Sequence, residues 1–177
     1  MANDRDRGQK RNLEFKVRLS DPKAAMARAR VLGADLWGDL RQTDTYFDVR
    51  TGRLKLRETA GFQGELISYS RDEEGASRAS DYEIARTPDA EALRSVLTSA
   101  LGVRAVVRKR RTLWTLGTTR IHLDDVEGLG AFLEIEVPVK DGDDAAAKQC
   151  IDSLIRDLGF SWVDCIRASY VDLVLGE

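Results

Sequence analysis

Segments in which every second residue is apolar, with charged residues between, recur along this chain. Leu13, Phe15, Val17 and Leu19 alternate with Asn12, Glu14, Lys16 and Arg18. Leu54 and Leu56 alternate with Arg53, Lys55 and Arg57. Ala131, Leu133, Ile135 and Val137 alternate with Phe132, Glu134 and Glu136. Successive side chains of a strand point to opposite faces, so a period of two predicts β-strands. Further strands are expected over residues 43–49, 65–71, 81–86, 104–116, 119–126 and 168–175, with a hairpin turned at Gly117. Helices are expected between them. Ser20-Asp21-Pro22 offers a capping side chain ahead of a proline, and that helix would stop at Gly33. Thr87-Pro88-Asp89 opens a second helix that ends near Gly102. A third spans about residues 144–158 and stops at Gly159.

The strands have an unusual polar face. It collects charges of both signs, from Glu14, Lys16 and Arg18 through Arg53, Lys55, Arg57 and Arg71 to Lys109, Arg111, Arg120, His122, Asp124, Glu134 and Glu136. A sheet with one face in water would explain alternation alone. The helices, however, need apolar surface, and only the strands' apolar faces offer it. At least eight strands are available, enough to close a barrel. With helices outside, the charged face must line the inside. The expected fold is therefore α+β, a closed β-barrel with helices packed on the exterior. The charged, polar residues 1–11 are expected to be a flexible tail, and residues 12–177 one tunnel domain.

A closed interior lined with unpaired cations is costly, because desolvating charge is expensive. It is reasonable if the interior is wet and receives a polyanion. A triphosphate supplies many acceptor oxygens, which lysine matches by charge and arginine also by its forked geometry. Carboxylates in the same lining suit a metal bridging phosphate oxygens. With one histidine in 177 residues, a His-rich zinc site is excluded and any metal is expected to be held by carboxylates, which favours Mg2+, Mn2+ or Ca2+.

Charge and composition narrow the partners. The chain has 28 basic and 30 acidic residues, a formal net charge of −2, where a duplex-binding domain would be net basic. No nucleic-acid partner is expected. No run approaches the roughly 20 apolar residues of a membrane span, and none follows the N-terminal MANDRDRGQKRN, so a cytoplasmic protein is expected. Cys150 and Cys165 are expected to be reduced and buried. There is no GxxxxGK[ST] loop, and Gly128-Leu129-Gly130 is too short for a dinucleotide fingerprint.

Several segments resemble one family. Leu13-Glu14-Phe15-Lys16, Gln42-Thr43-Asp44-Thr45-Tyr46-Phe47-Asp48 and Arg53-Leu54-Lys55-Leu56-Arg57-Glu58 look like the first half of a CYTH domain. Leu66-Ile67-Ser68-Tyr69-Ser70-Arg71, Lys109-Arg110-Arg111, Leu123-Asp124-Asp125-Val126-Glu127-Gly128-Leu129-Gly130 and Phe132-Leu133-Glu134-Ile135-Glu136-Val137 continue the pattern. Within the family, the chain most resembles class IV adenylyl cyclase-like proteins. The resemblance implies a closed antiparallel eight-stranded β-barrel, a tunnel that binds triphosphate with Mg2+ or Mn2+. Lys16, Arg18, Lys55, Arg57, Arg71, Lys109, Arg111 and Arg120 would bind the substrate. Glu14, Glu134, Glu136 and Asp124 would bind the metal, with Asp124 alternatively an orienting group. Lys16, Asp124 and Arg111 would be catalytic. A homodimer is expected on the same ground. The family's Glu-x-Glu-x-Lys hallmark is broken here, because Asn12 stands at the first glutamate.

Three functions follow as expectations. The first is an adenylyl cyclase turning ATP into 3′,5′-cyclic AMP and pyrophosphate. The second is a triphosphatase acting on thiamine triphosphate or inorganic triphosphate. The third, motivated by Asn12, is a non-catalytic nucleotide or polyphosphate binder. No base pocket is legible in the sequence.

Overall fold

The structure is a computed structural model that describes residues 10–71, 79–140 and 142–176. Eight strands run in chain order: β1 (Lys10–Arg18), β2 (Asp35–Phe47), β3 (Arg53–Thr59), β4 (Gly64–Arg71), β5 (Ala79–Thr87), β6 (Val103–Leu116), β7 (Thr119–Val126) and β8 (Gly130–Pro138). They pair antiparallel in the closed order β1-β5-β4-β3-β2-β6-β7-β8. The expected barrel is therefore present. Of the expected tail, residues 1–9 lie outside the described residues. Lys10 and Arg11 already belong to β1, opposite Tyr82 and Asp81 of β5.

Four helices accompany the barrel: α1 (Pro22–Val31), α2 (Ala90–Leu101), α3 (Asp144–Asp157) and α4 (Tyr170–Leu175). Asp21, Asp89 and Asp143 cap the first three by accepting from the amides of Ala24, Ala92 and Ala146. Each cap satisfies an amide that the helix itself leaves unpaired. α1 and α3 lie on the barrel exterior. Ala25 and Ala29 of α1 and Ile151, Leu154 and Ile155 of α3 join one buried cluster with Leu13, Phe15, Val17, Leu133, Ile135 and Val137. Burying each large aliphatic side chain there is worth about 1.5–3 kcal/mol. The apolar strand faces thus point outward under the helices, and the charged faces point inward.

Two expectations are corrected. Residues 168–175 form a helix, not a strand. Ser169 caps α4 and Asp172 reaches back to the Ser169 amide at 2.8 Å, a reciprocal capping box that fixes a helical first turn. α4 also does not lie on the exterior like α1 and α3. Its Tyr170 and Val171 are buried with Tyr46, Tyr69, Val107, Val126 and Phe132, so it fills one end of the barrel interior. Cys150 is exposed and Cys165 half-buried, and both are free thiols; neither is a fully buried small hydrophobe. Among the described residues, no helix is long and apolar enough to cross a membrane.

Candidate functional site

Register decides which side chains meet. In an antiparallel pair, residues directly opposite share a face. Lys16 stands opposite Glu134, Glu14 opposite Glu136, Arg120 opposite Glu136 and His122 opposite Glu134. Arg111 stands opposite Asp124. These residues come from β1, β6, β7 and β8 and point into the barrel. There they line, with Lys55 and Arg57 of β3, a cavity of about 730 Å³; Asp124 alone is behind the lining.

Two anionic centres hold the cations. Asp44 of β2 is the first. It is 1% exposed and accepts from Arg57 Nε at 2.7 Å, Lys55 Nζ at 3.0 Å and Lys109 Nζ at 3.2 Å. Burial alone would raise its pKa, but Arg57, Lys109 and Lys55 outweigh burial and hold the carboxyl well below its ordinary value. The cations pay in turn. Burial and the neighbouring Arg57 pull Lys55 down to about 7, and Asp44 only partly offsets them. Burial also lowers Lys109. One carboxylate serving three cations leaves net positive charge in a confined space.

The second centre is Asp124 with Glu134. Asp124 accepts a bidentate pair from Arg111 at 2.7 and 2.6 Å and a third bond from the Tyr170 hydroxyl at 2.9 Å. Its oxygens face these donors, so this geometry suits orientation of Arg111 rather than metal ligation. Glu134 accepts from Arg111 at 2.7 Å and pairs with Lys16 at 3.0 Å. Lys16, 2% exposed, also donates to the Ala168 carbonyl and sits 4.0 Å from the Tyr170 ring centroid. The segment leading into α4 therefore helps position Lys16.

The cluster that could hold a metal is His122, Glu134 and Glu136, whose ligand atoms lie within 4.8 Å of one another. His122 Nδ1 is buried, has no hydrogen-bond partner among the described residues, and lies 3.5 Å from Glu136 Oε1. An orphaned buried nitrogen beside two carboxylates fits a divalent cation. The expectation named carboxylates alone; among the described residues the converging group also includes the histidine. Burial pushes Glu136 up, but His122, Arg120 and Arg111 hold it at about 2, so it is ionised at neutral pH.

The CYTH domain profile matches residues 10–170. This chain belongs to the CYTH family. Adenylate cyclase CyaB of Aeromonas hydrophila is 27% identical over 174 residues, covering 89% of this chain and 85% of CyaB. The solved structure of PH1012 from Pyrococcus horikoshii superposes with a TM-score of 0.83 at 24% identity, covering 92% of this chain and 98% of PH1012. HpAC1 from Hippeastrum, described as having a dominant triphosphatase activity, superposes at 0.68 with 16% identity, covering 94% and 96%.

Among the CYTH residues expected at the site, Glu14, Lys16, Lys55, Arg57, Lys109, Arg111, Arg120, Glu134 and Glu136 line the one cavity. Arg18 does not. It donates to the Leu129 carbonyl and covers the Phe132 ring, beyond the apolar layer at the α4 end. The side chain of Arg71 lies outside the described ones. Asn12 lines the cavity beside Arg120. In the orientation that satisfies both neighbours, its amide oxygen accepts from Arg120 Nη2 and its nitrogen donates to the Arg11 carbonyl, each at 3.2 Å. Sequence reading did not single out Asp44 or Tyr170 as site residues. Asp44 could have been found from its place between Gln42 and Tyr46, on the face that pairs with Arg57.

Proposed function

We propose that this CYTH protein is a metal-dependent enzyme that binds a triphosphate in its tunnel and converts ATP to 3′,5′-cyclic AMP and pyrophosphate. The observation that carries this reading is the convergence of Lys16, Lys55, Arg57, Lys109 and Arg111 in one cavity beside His122, Glu134 and Glu136. Phosphate oxygens would replace Asp44 as partners of Lys55 and Lys109, relieving the cations that share it. Arg111, held in the plane of Asp124, presents a pre-oriented guanidinium, so little reorganisation is needed as charge develops on the leaving group. A divalent metal held by His122, Glu134 and Glu136 would supply additional positive charge next to the phosphates. The ribose 3′ oxygen attacks the α-phosphorus and gives up its hydroxyl proton to solvent water, the bond from that phosphorus to the bridging oxygen breaks, and the pyrophosphate leaves toward the cations. Mg2+ or Mn2+ is the proposed cofactor.

Hydrolysis of a small triphosphate by the same lining is the second reading. It is supported by the triphosphatase described for HpAC1, a protein of the same fold. Incubation with ATP, thiamine triphosphate or inorganic tripolyphosphate, with Mg2+ or Mn2+, followed by product separation distinguishes them. Cyclic AMP and pyrophosphate are expected from ATP. Orthophosphate without cyclic AMP would replace the first reading by the second, and no turnover of any substrate would retire both.

A further inference from the structure

The inward-facing residues change character along the tunnel. On β6 they read Val107, Lys109, Arg111 and Leu113. Val107 joins the apolar layer under α4, Lys109 and Arg111 belong to the charged middle, and Leu113 begins a second apolar zone at the opposite end. Leu40 stands opposite Arg111, and Ile84 is also part of the lining. Two aromatic rings complete this mouth. Trp37 and Phe62 line the cavity, are 54% and 58% exposed, and lie with ring centroids 6.1 Å apart at 36°.

Single exposed apolar residues are ordinary on a protein surface. Five converging on one charged cavity are not explained by phosphate binding, which needs only charge and donors. The backbone also departs from regularity to place Trp37 there. Leu36 pairs with Trp114 and Gly38 with Leu113, so Trp37 is the extra residue of a bulge. Bulges commonly re-aim a side chain beside a functional site. Phe62 is placed by the β3–β4 turn, whose Phe62 amide donates to the Thr59 carbonyl at 3.0 Å.

We infer that Trp37 and Phe62 form a ring-binding subsite at the tunnel mouth, which takes the base of a nucleoside triphosphate whose phosphates lie among the cations. This rests on the triphosphate reading above and adds that the ligand carries a flat ring. Polarity sets the direction. α4 fills the far end, so anything attached to the phosphates must extend toward the mouth. Trp37 lies three residues beyond Leu40, which is level with Arg111, roughly 10 Å along the strand. A sugar can bridge that interval. Bases stack on aromatic side chains with little regard to sequence, so the subsite selects a ring over no ring.

The test compares ATP with inorganic tripolyphosphate, which has the charge but no ring. Both are titrated calorimetrically in EDTA, to prevent turnover, against wild type, Trp37→Ala, Phe62→Ala and Trp37→Phe. Loss of a stacking partner should weaken ATP by about five- to hundred-fold and leave tripolyphosphate within about twofold. Trp37→Phe should restore most of the ATP affinity, which a merely misfolded variant would not. ATP, but not tripolyphosphate, should also change the tryptophan emission of wild type. If tripolyphosphate binds to wild type and the alanine variants weaken both ligands equally or neither, the ring subsite is wrong while the triphosphate reading stands. If wild type binds neither ligand, both fall.

Discussion

At the scale of the residue, most of the charged lining was legible because a strand's parity is a strict rule. Once Leu13, Phe15 and Val17 are placed under helices, Glu14 and Lys16 have nowhere to go but inward. Parity says nothing about which charge answers which. Asp44 escaped notice because its segment, Gln42 to Phe47, mixes threonines and aromatics and shows no clean alternation. His122 is legible on the charged face, but its register opposite Glu134 is not, so the sequence alone does not bring it to the carboxylates. The charge balance has a pH consequence. Lys55 lies at about 7, well below its ordinary 10.5. A polyanion favours the ammonium and raises it again. Binding of metal-free tripolyphosphate between about pH 7 and 10.5 should then take up a proton at Lys55, and affinity should fall as pH rises through that window, by at most about tenfold per unit. In the ligand-free protein the sign reverses. The folded state binds fewer protons than the unfolded chain there, so Lys55 adds stability as pH rises. Calorimetry at pH 8.5 in two buffers of different ionisation enthalpy measures the uptake, which Lys55→Met should abolish. Glu136 allows a second check. Glu136→Gln keeps the shape and removes a charge. Turnover should drop and demand more Mn2+, while metal-free tripolyphosphate should bind as well or better. An unchanged Mn2+ requirement would remove Glu136 from the metal cluster.

At the scale of the element, seven of the eight barrel strands were legible over most of their length. β2 was not: its first half, from Asp35 to Arg41, contains the bulge, and one extra residue destroys period two. α4 was misread for a different reason. Its residues Tyr170, Val171 and Val174 have high strand propensity, and local propensity is a weak guide for a short segment. The decisive signal was the capping pair, Ser169 and Asp172. Ser169→Ala should therefore cost about 0.5–2 kcal/mol of stability, measurable by urea unfolding. Because Ala168 and Tyr170 flank Ser169 and both touch Lys16, the same variant should weaken tripolyphosphate binding, although Ser169 is not placed among its proposed ligands. A stability loss with unchanged binding would mean that Lys16 keeps its position without α4.

At the scale of the whole molecule, helices outside and charge inside follow from one constraint, that apolar faces must find each other. The layering inside the tunnel was not legible, because the mouth is assembled from a bulge and a turn. The assembled interior should act as one receptor. A ligand that binds only the folded state raises its stability by mass action. Tripolyphosphate at millimolar concentration should raise the thermal midpoint above that in sodium chloride of equal ionic strength. Equal midpoints would contradict a folded-state anion site.

Barrel closure also places the site in time. Lys16 and Glu134, 3.0 Å apart, come from β1 and β8, and although β1 also pairs with β5, the pairing that closes the barrel waits for β8, the last strand. Non-local pairings of this kind are made late and slowly. A growing chain emerging from the ribosome carries Lys16 long before its partner Glu134, whereas Lys55 and Arg57 follow closely on Asp44. The receptor therefore cannot guide its own assembly. Tripolyphosphate should leave the refolding rate nearly unchanged and slow unfolding instead, a split that stopped-flow kinetics can read directly. The last strand to be synthesised closes the barrel, so the anion site exists only once the whole sheet has formed.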